Sequence, residues 1–81
     1  MNVLLFGVTR DIVGKGTIFI PGEEAPGLKT VGDLKQRLTE NYPALKELSS
    51  LAVAVNQSYA RDEDPIAETD EIALIPPVSG G

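Results

Sequence analysis

Only one stretch of this sequence repeats its apolar residues at helical spacing, and every other apolar run is too short to be anything but a strand. The short runs are residues 2–8, 17–20, 51–56 and 72–75, separated by glycines, prolines and charged residues. Runs of about four to eight residues bounded by turn formers read as strands, whereas a helix needs about ten or more. The helical stretch is Thr30 to Asn41. Thr30 followed by Asp33 is a variant of the capping box, and Val31, Leu34 and Leu38 then recur on one face with Lys35, Gln36 and Arg37 between them. Pro43 ends this helix, and Ala44 to Leu48 adds a further turn.

The connections complete the pattern. Thr9 is placed to cap a short turn through Val13, and Gly14 and Gly16 supply the freedom to leave it, so the first two strands are predicted to pair antiparallel. Residues 21–29 are rich in turn formers and are expected to be an exposed loop tolerant of insertion. Gln57 to Ala60 turns back as a brief strand, an acidic loop carrying Pro65 follows, and Ile72 to Ile75 forms the last strand, stopped by Pro76-Pro77. The predicted class is α+β, a mixed sheet of about five strands wrapped on one main helix. Side chains alternate across a strand, so Ile72 and Leu74 share the core face while Ala73 and Ile75 share the other. Phe6, in the first strand, and Tyr59 are candidates for that same outer surface, an apolar docking patch.

Composition narrows the chemistry. The chain has 81 residues, about half of the ~150 of a typical domain, which leaves room for one small core and no enclosed substrate cavity. Two Phe, two Tyr and no Trp make that core aliphatic. Cysteine and histidine are both absent, which removes disulfides, thiolate nucleophiles, imidazole bases and the metal sites those ligands build. The longest uninterrupted apolar stretches, Val3 to Phe6 and Leu51 to Val55, fall far short of the ~18 residues of a membrane span. With no basic-then-apolar leader, the expectation is a cytoplasmic chain, complete from Met1, without a membrane partner. Seven bases against twelve acids give a net charge of −5. Arg61 to Glu71 alone holds one base against six acids, so this segment carries the whole imbalance. Lacking a basic stripe, the chain is not expected to bind nucleic acid, and a partner with a basic surface suits it better.

Three chemical motifs fail on inspection. Gly14-Lys15-Gly16-Thr17 lacks the residue order of a phosphate loop. Asp62, Glu63 and Asp64 run into Pro65 where a calcium loop would continue, so a solvated acidic loop is expected and no metal is assigned. Paired carboxylates for glycosidic chemistry have no cleft to hold a sugar. What remains is the end, Pro76-Pro77-Val78-Ser79-Gly80-Gly81. Two terminal glycines arise by chance in about 0.5% of chains at the average ~7% glycine. Without Cβ atoms they can enter a channel too narrow for other residues and present the terminal carboxylate to another enzyme, while Pro76 and Pro77 stiffen the base. Residues 1–75 are read as the domain and 76–81 as a flexible, reactive tail.

The early Leu-Phe-Gly-Val-Thr-Arg-Asp-Ile-Val-Gly, the central Leu-Ala-Val-Ala-Val-Asn-Gln and the closing Asp-Glu-Ile-Ala-Leu-Ile-Pro-Pro-Val-Ser-Gly-Gly together resemble the small subunits of molybdopterin synthases, sulfur carriers of the ubiquitin-like β-grasp superfamily. The resemblance spans the chain, and its most specific part is the closing hexapeptide. It implies that an ATP-dependent activating enzyme adenylates the carboxylate of Gly81, which then becomes a thiocarboxylate. It implies that this sulfur passes to cyclic pyranopterin monophosphate to build the dithiolene. Gly80 and Gly81 would thread into the partners, with Pro76, Pro77, Val78 and Ser79 lining the path. By match to the family, Phe6, Tyr59 and Ile75 form the docking face, and Arg10 helps hold the activating enzyme. The implied partners are the large synthase subunit, in a heterotetramer, the activating enzyme and, indirectly, a sulfurtransferase. No cofactor is expected on this chain, ATP being used by the activating enzyme. The alternatives are a related carrier for thiamine or transfer-RNA thiolation, a protein modifier joined through Gly81, and a plain interaction module.

Overall fold

The computed structural model of the chain describes residues 1–48 and 51–76. Among these, five strands and two α-helices follow in the order β1 (Asn2–Leu5), α1 (Val8–Val13), β2 (Thr17–Phe19), α2 (Val31–Asn41), β3 (Ala52–Val55), β4 (Ser58–Ala60) and β5 (Ile72–Ile75). Two 3-10 turns, Gly22–Gly27 and Pro43–Glu47, flank α2.

The capping box expected at the start of α2 is formed in both directions. The Asp33 N–H donates to Thr30 Oγ1 at 3.2 Å, and Asp33 Oδ2 accepts from the N–H groups of Thr30 and Lys29 at 3.2 and 3.0 Å. Three backbone donors at the helix start are thereby tied to side-chain oxygens. Val31, Leu34 and Leu38 then fall on one face and are fully buried. Replacing Thr30 by Ala removes the hydroxyl acceptor and is expected to cost about 1 kcal/mol, read as a lower urea midpoint with an unchanged slope.

The sheet order is β2-β1-β5-β3-β4. β1 pairs antiparallel with β2, as expected, and parallel with β5, which pairs antiparallel with β3 on its other side. The last strand in sequence therefore sits at the centre of the sheet. Its inward residues Ile72 and Leu74 join Val3, Leu5 and Val53 beneath Val31, Leu34, Leu38 and Leu45 in one aliphatic core. This is the β-grasp fold, a mixed five-stranded sheet on one main helix. Both phenylalanines stay outside the core, so aromatic bulk is spent on the surface. No helix among the described residues is long and apolar enough to cross a membrane.

Three local expectations are corrected. The first strand ends at Leu5, so Phe6 lies just beyond it, because Gly7 turns the chain with φ 56° and ψ −133°. Thr9 does not cap the helix that follows. It lies inside α1, fully buried, and its hydroxyl donates to the Phe6 carbonyl while accepting the Phe6 N–H. Residues 21–29 are not a plain loop: Glu24 and Leu28 N–H groups close on the Pro21 and Ala25 carbonyls, and Leu28 is anchored in the core. The acidic segment is a solvated loop, as expected, with the Asp62 and Glu63 side chains exposed, but its backbone is held. The Asp64 and Asp62 carbonyls accept the Val31 and Gly32 N–H groups at 3.0 and 2.8 Å, and Lys35 pairs with the Asp62 carboxylate at 2.8 Å. The open donors at the start of α2 thus fix the loop in place.

Candidate functional site

Strand register builds a groove on the face of the sheet turned away from α2. Leu4 stands beside Ala73, Ala73 beside Ala54 and Ala54 beside Tyr59, which makes one row across β1, β5, β3 and β4. The two alanines are short, so the middle of the row is low, with Leu4 and Tyr59 rising on either side. Phe6 and Ile75 line one end of this groove, and Gln57 and Glu71 line the other. Its floor and walls are apolar, with polar groups confined to one end.

Phe6, Tyr59 and Ile75, chosen from sequence, are brought together in this groove. Phe6 and Tyr59 are 49% and 75% exposed, so neither is spent on core packing. Arg10 is not part of the groove. It is exposed on α1, with its guanidinium over Gly16, where a β-carbon would stand 3.7 Å from Arg10 Nε. Pro76 is the last described residue and leaves the groove beside Ile75, whereas Pro77, Val78, Ser79, Gly80 and Gly81 lie outside the described residues. Sequence reasoning placed Ala73 on this face but missed Leu4, Ala54 and Gln57 as lining residues. The signal was present for Ala54, since Ala52-Val53-Ala54-Val55 alternates small and large, and the small side chains mark the hollow face.

A hydrogen-bonded clasp holds the polar end. Asn56 and Gln57 adopt positive φ, 52° and 70°, in the turn joining β3 to β4, a conformation Asn tolerates better than most residues. From there Asn56 Oδ1 accepts the Glu71 N–H at 3.0 Å, the Asn56 N–H donates to the Glu71 carbonyl at 2.8 Å, and Asn56 Nδ2 donates to Asp70 Oδ1 at 3.0 Å. Asp70 Oδ2 accepts the Ala67 N–H at 2.7 Å. The Ala67 N–H and, secondly, the Asn56 amide hold the Asp70 carboxyl below its ordinary value. Both favour the ionised form, so their contribution to stability is complete above the ordinary aspartate value of 3.8 and is lost as pH falls through the lower folded value. Between about pH 5 and pH 2 the wild-type chain should lose more thermal stability than Asp70→Ala, measured by melting across that range.

Comparison with known proteins agrees with the geometry. A family model described as "ThiS family" matches residues 3–81. The chain belongs to the ThiS family. Among curated relatives, the molybdopterin synthase sulfur carrier subunit of Dictyostelium discoideum is 42% identical over 85 residues, covering 99% of this chain and 94% of that protein. The ThiS-family chain also superposes on SAMP1 of Haloferax volcanii with a TM-score of 0.77 and 30% identity, covering 99% of this chain and 97% of the other. The complex of subunits 1 and 2 of the molybdopterin-converting factor of Helicobacter pylori contains a chain that matches with a TM-score of 0.63 and 26% identity, over 99% and 96% of the two chains. The resemblance read from the early, central and closing segments is borne out at the level of family and fold.

Proposed function

We propose that this chain is the sulfur carrier subunit of a molybdopterin synthase, with Gly81 as the sulfur-bearing residue. The observation that carries the reading is the 42% identity to such a subunit across 99% of the chain. The apolar groove supports it, because a carrier must be gripped by a partner while its tail is used elsewhere. Carboxylates are poor acyl donors. Attack of the Gly81 carboxylate on ATP, in an activating enzyme, gives an acyl adenylate and releases pyrophosphate. The terminal sulfur of a persulfide then displaces AMP to give an acyl disulfide, and a second thiol attacks its S–S bond, forming a disulfide and releasing Gly81 with sulfur in place of one carboxylate oxygen. The thiocarboxylate is a nucleophile that can be inserted into the large subunit and passed to cyclic pyranopterin monophosphate. In this scheme the chain is a reactant, and the groove and tail are its working parts. Phe6, Tyr59 and Ile75 dock the partner, Pro76 to Ser79 lead into its channel, Gly80 threads, and Arg10 contacts the activating enzyme.

The test is reconstitution with the activating enzyme, ATP, a sulfur donor, the large subunit and cyclic pyranopterin monophosphate. Intact mass should rise by the difference between sulfur and oxygen, and the dithiolene product should appear. An unchanged mass with a demonstrably active enzyme would remove the reading. The likeness to SAMP1, a small archaeal modifier protein by name, favours a second use in which Gly81 is joined to lysines of other proteins. That use predicts isopeptide-linked conjugates in extract, lost when Gly81 is deleted.

A further inference from the structure

The groove and the tail meet at one contact. β1 and β5 run parallel in register, Val3 beside Ile72, Leu4 beside Ala73 and Leu5 beside Leu74. Continued by two residues, this register sets Phe6 alongside Ile75 and Gly7 alongside Pro76. The first pair lines the end of the groove. At the second, a β-carbon built on Gly7 would stand 3.1 Å from Pro76 Cγ, tighter than an ordinary contact, so the proline ring rests on the bare backbone of Gly7. Gly7 also holds φ 56° and ψ −133°, which side-chain-bearing residues rarely adopt. Pro76 has a fixed φ and no N–H to pair with a neighbouring strand. Its heading is therefore set by strand β5 behind it and by the seat beneath its ring.

We infer that Gly7 is a positioning residue for sulfur transfer. By seating Pro76 it fixes the place of that proline relative to Phe6 and Ile75, so that a partner gripping those two side chains meets the base of the tail at a set offset. The inference rests on the reading of Gly81 as the sulfur-bearing end. It separates two roles that adjacent residues would otherwise blur: Phe6 holds the partner, and Gly7 seats the base of the tail.

The experiment compares Gly7→Ala with Gly7→Leu. Neither replacement is branched at Cβ, so both carry similar backbone strain; either sets a β-carbon 3.1 Å from Pro76 Cγ, and the larger Leu crowds the ring further. Chains loaded with sulfur are reacted with the large subunit and cyclic pyranopterin monophosphate, and affinity for the large subunit is titrated separately. Transfer at saturating carrier is expected to fall about tenfold or more in Gly7→Leu and less in Gly7→Ala, with affinity within about twofold of wild type, because small misplacements of a reacting group cost far more in rate than in binding. Pro76→Ala, added to Gly7→Leu, makes room and should restore a large part of the loss. Unchanged transfer in Gly7→Leu, equal losses in Ala and Leu, or no rescue would overturn the positioning role. If Gly7→Leu does not fold, rescue of Gly7→Ala by Pro76→Ala decides by the same criterion. If the wild-type chain transfers no sulfur under these conditions, the carrier reading itself fails and the inference falls with it.

Discussion

Deletion of Gly81 is expected to abolish sulfur loading while leaving the unfolding curve where it was. One residue of extended chain spans about 3.5 Å, so under the proposed adenylation the new terminal carboxylate, that of Gly80, would stop short of the phosphorus to be attacked by roughly the whole distance over which reacting groups are held for reaction. A misplacement of even ~1 Å can cost about a hundredfold in rate, so loading of the shortened chain should be undetectable beside the wild type. Stability has no reason to follow. The buried hydrophobic core runs from Met1 to Leu74, and the last strand ends at Ile75. The two chains should therefore unfold within about 0.5 kcal/mol of each other, the usual effect of a change away from the core. Intact mass and a denaturant titration on the same preparations read both quantities. A deleted chain that still gains sulfur, or that melts early, would contradict the assignment.

The parts of this fold that were legible in the sequence are those governed by local periodicity. α2 was readable because its cap and its apolar face are both written within Thr30 to Leu38, and the structure returns the capping box and three fully buried side chains there. β5 was readable for the same reason, since Ile72 and Leu74 alternate with Ala73 and Ile75. Misread segments are those settled by contacts distant in sequence. Nothing near Asp62 or Asp64 announces that their carbonyls will accept N–H groups from Val31 and Gly32. The acidic side chains are solvated as their sequence suggests, and it is the capping demand of a helix thirty residues away that ties down the backbone beneath them. Thr9 follows a turn that its neighbours do not announce: Gly7 closes off the first strand, starts the helix earlier than expected and puts the threonine hydroxyl back on Phe6.

The candidate site divides along the same line. Phe6, Tyr59 and Ile75 were placed on the outer face by the strand pattern and on the docking face by family resemblance, and their convergence in one groove depends on a sheet order that brings the last strand between the first and the third. No local pattern encodes that order. The alanine floor was encoded, in the alternation of Ala52-Val53-Ala54-Val55, but its meaning appears only when Ala54 is seen beside Ala73. The seat of Pro76 on Gly7 joins positions 69 residues apart and has no sequence signal beyond the two residue types.

Adjacent residues of β5 should give opposite results. Leu74 is fully buried in the core, and Leu74→Ala is expected to cost about 2–5 kcal/mol, the lost transfer energy plus the cavity left behind. At ~0.05–0.15 kcal/mol per residue a domain of this length is stable by only about 4–12 kcal/mol, so the loss is a large fraction of the margin and should appear as a much lower denaturant midpoint. Ala73 points the other way, onto the floor of the groove between Leu4 and Ala54. Ala73→Leu adds no volume to the core and should shift stability by no more than about 0.5 kcal/mol. It fills the hollow that a partner's anchoring side chain would occupy, and loss of such an anchor is typically worth about 2 kcal/mol or more, roughly thirtyfold in affinity. Denaturant unfolding and titration with the large subunit would separate the two effects. If Ala73→Leu binds as the wild type does, the groove is not the docking site; if it unfolds as Leu74→Ala does, the two faces of the sheet have been assigned the wrong way round. Because side chains alternate along a strand, a single step in sequence moves the substitution from the fold to the interface.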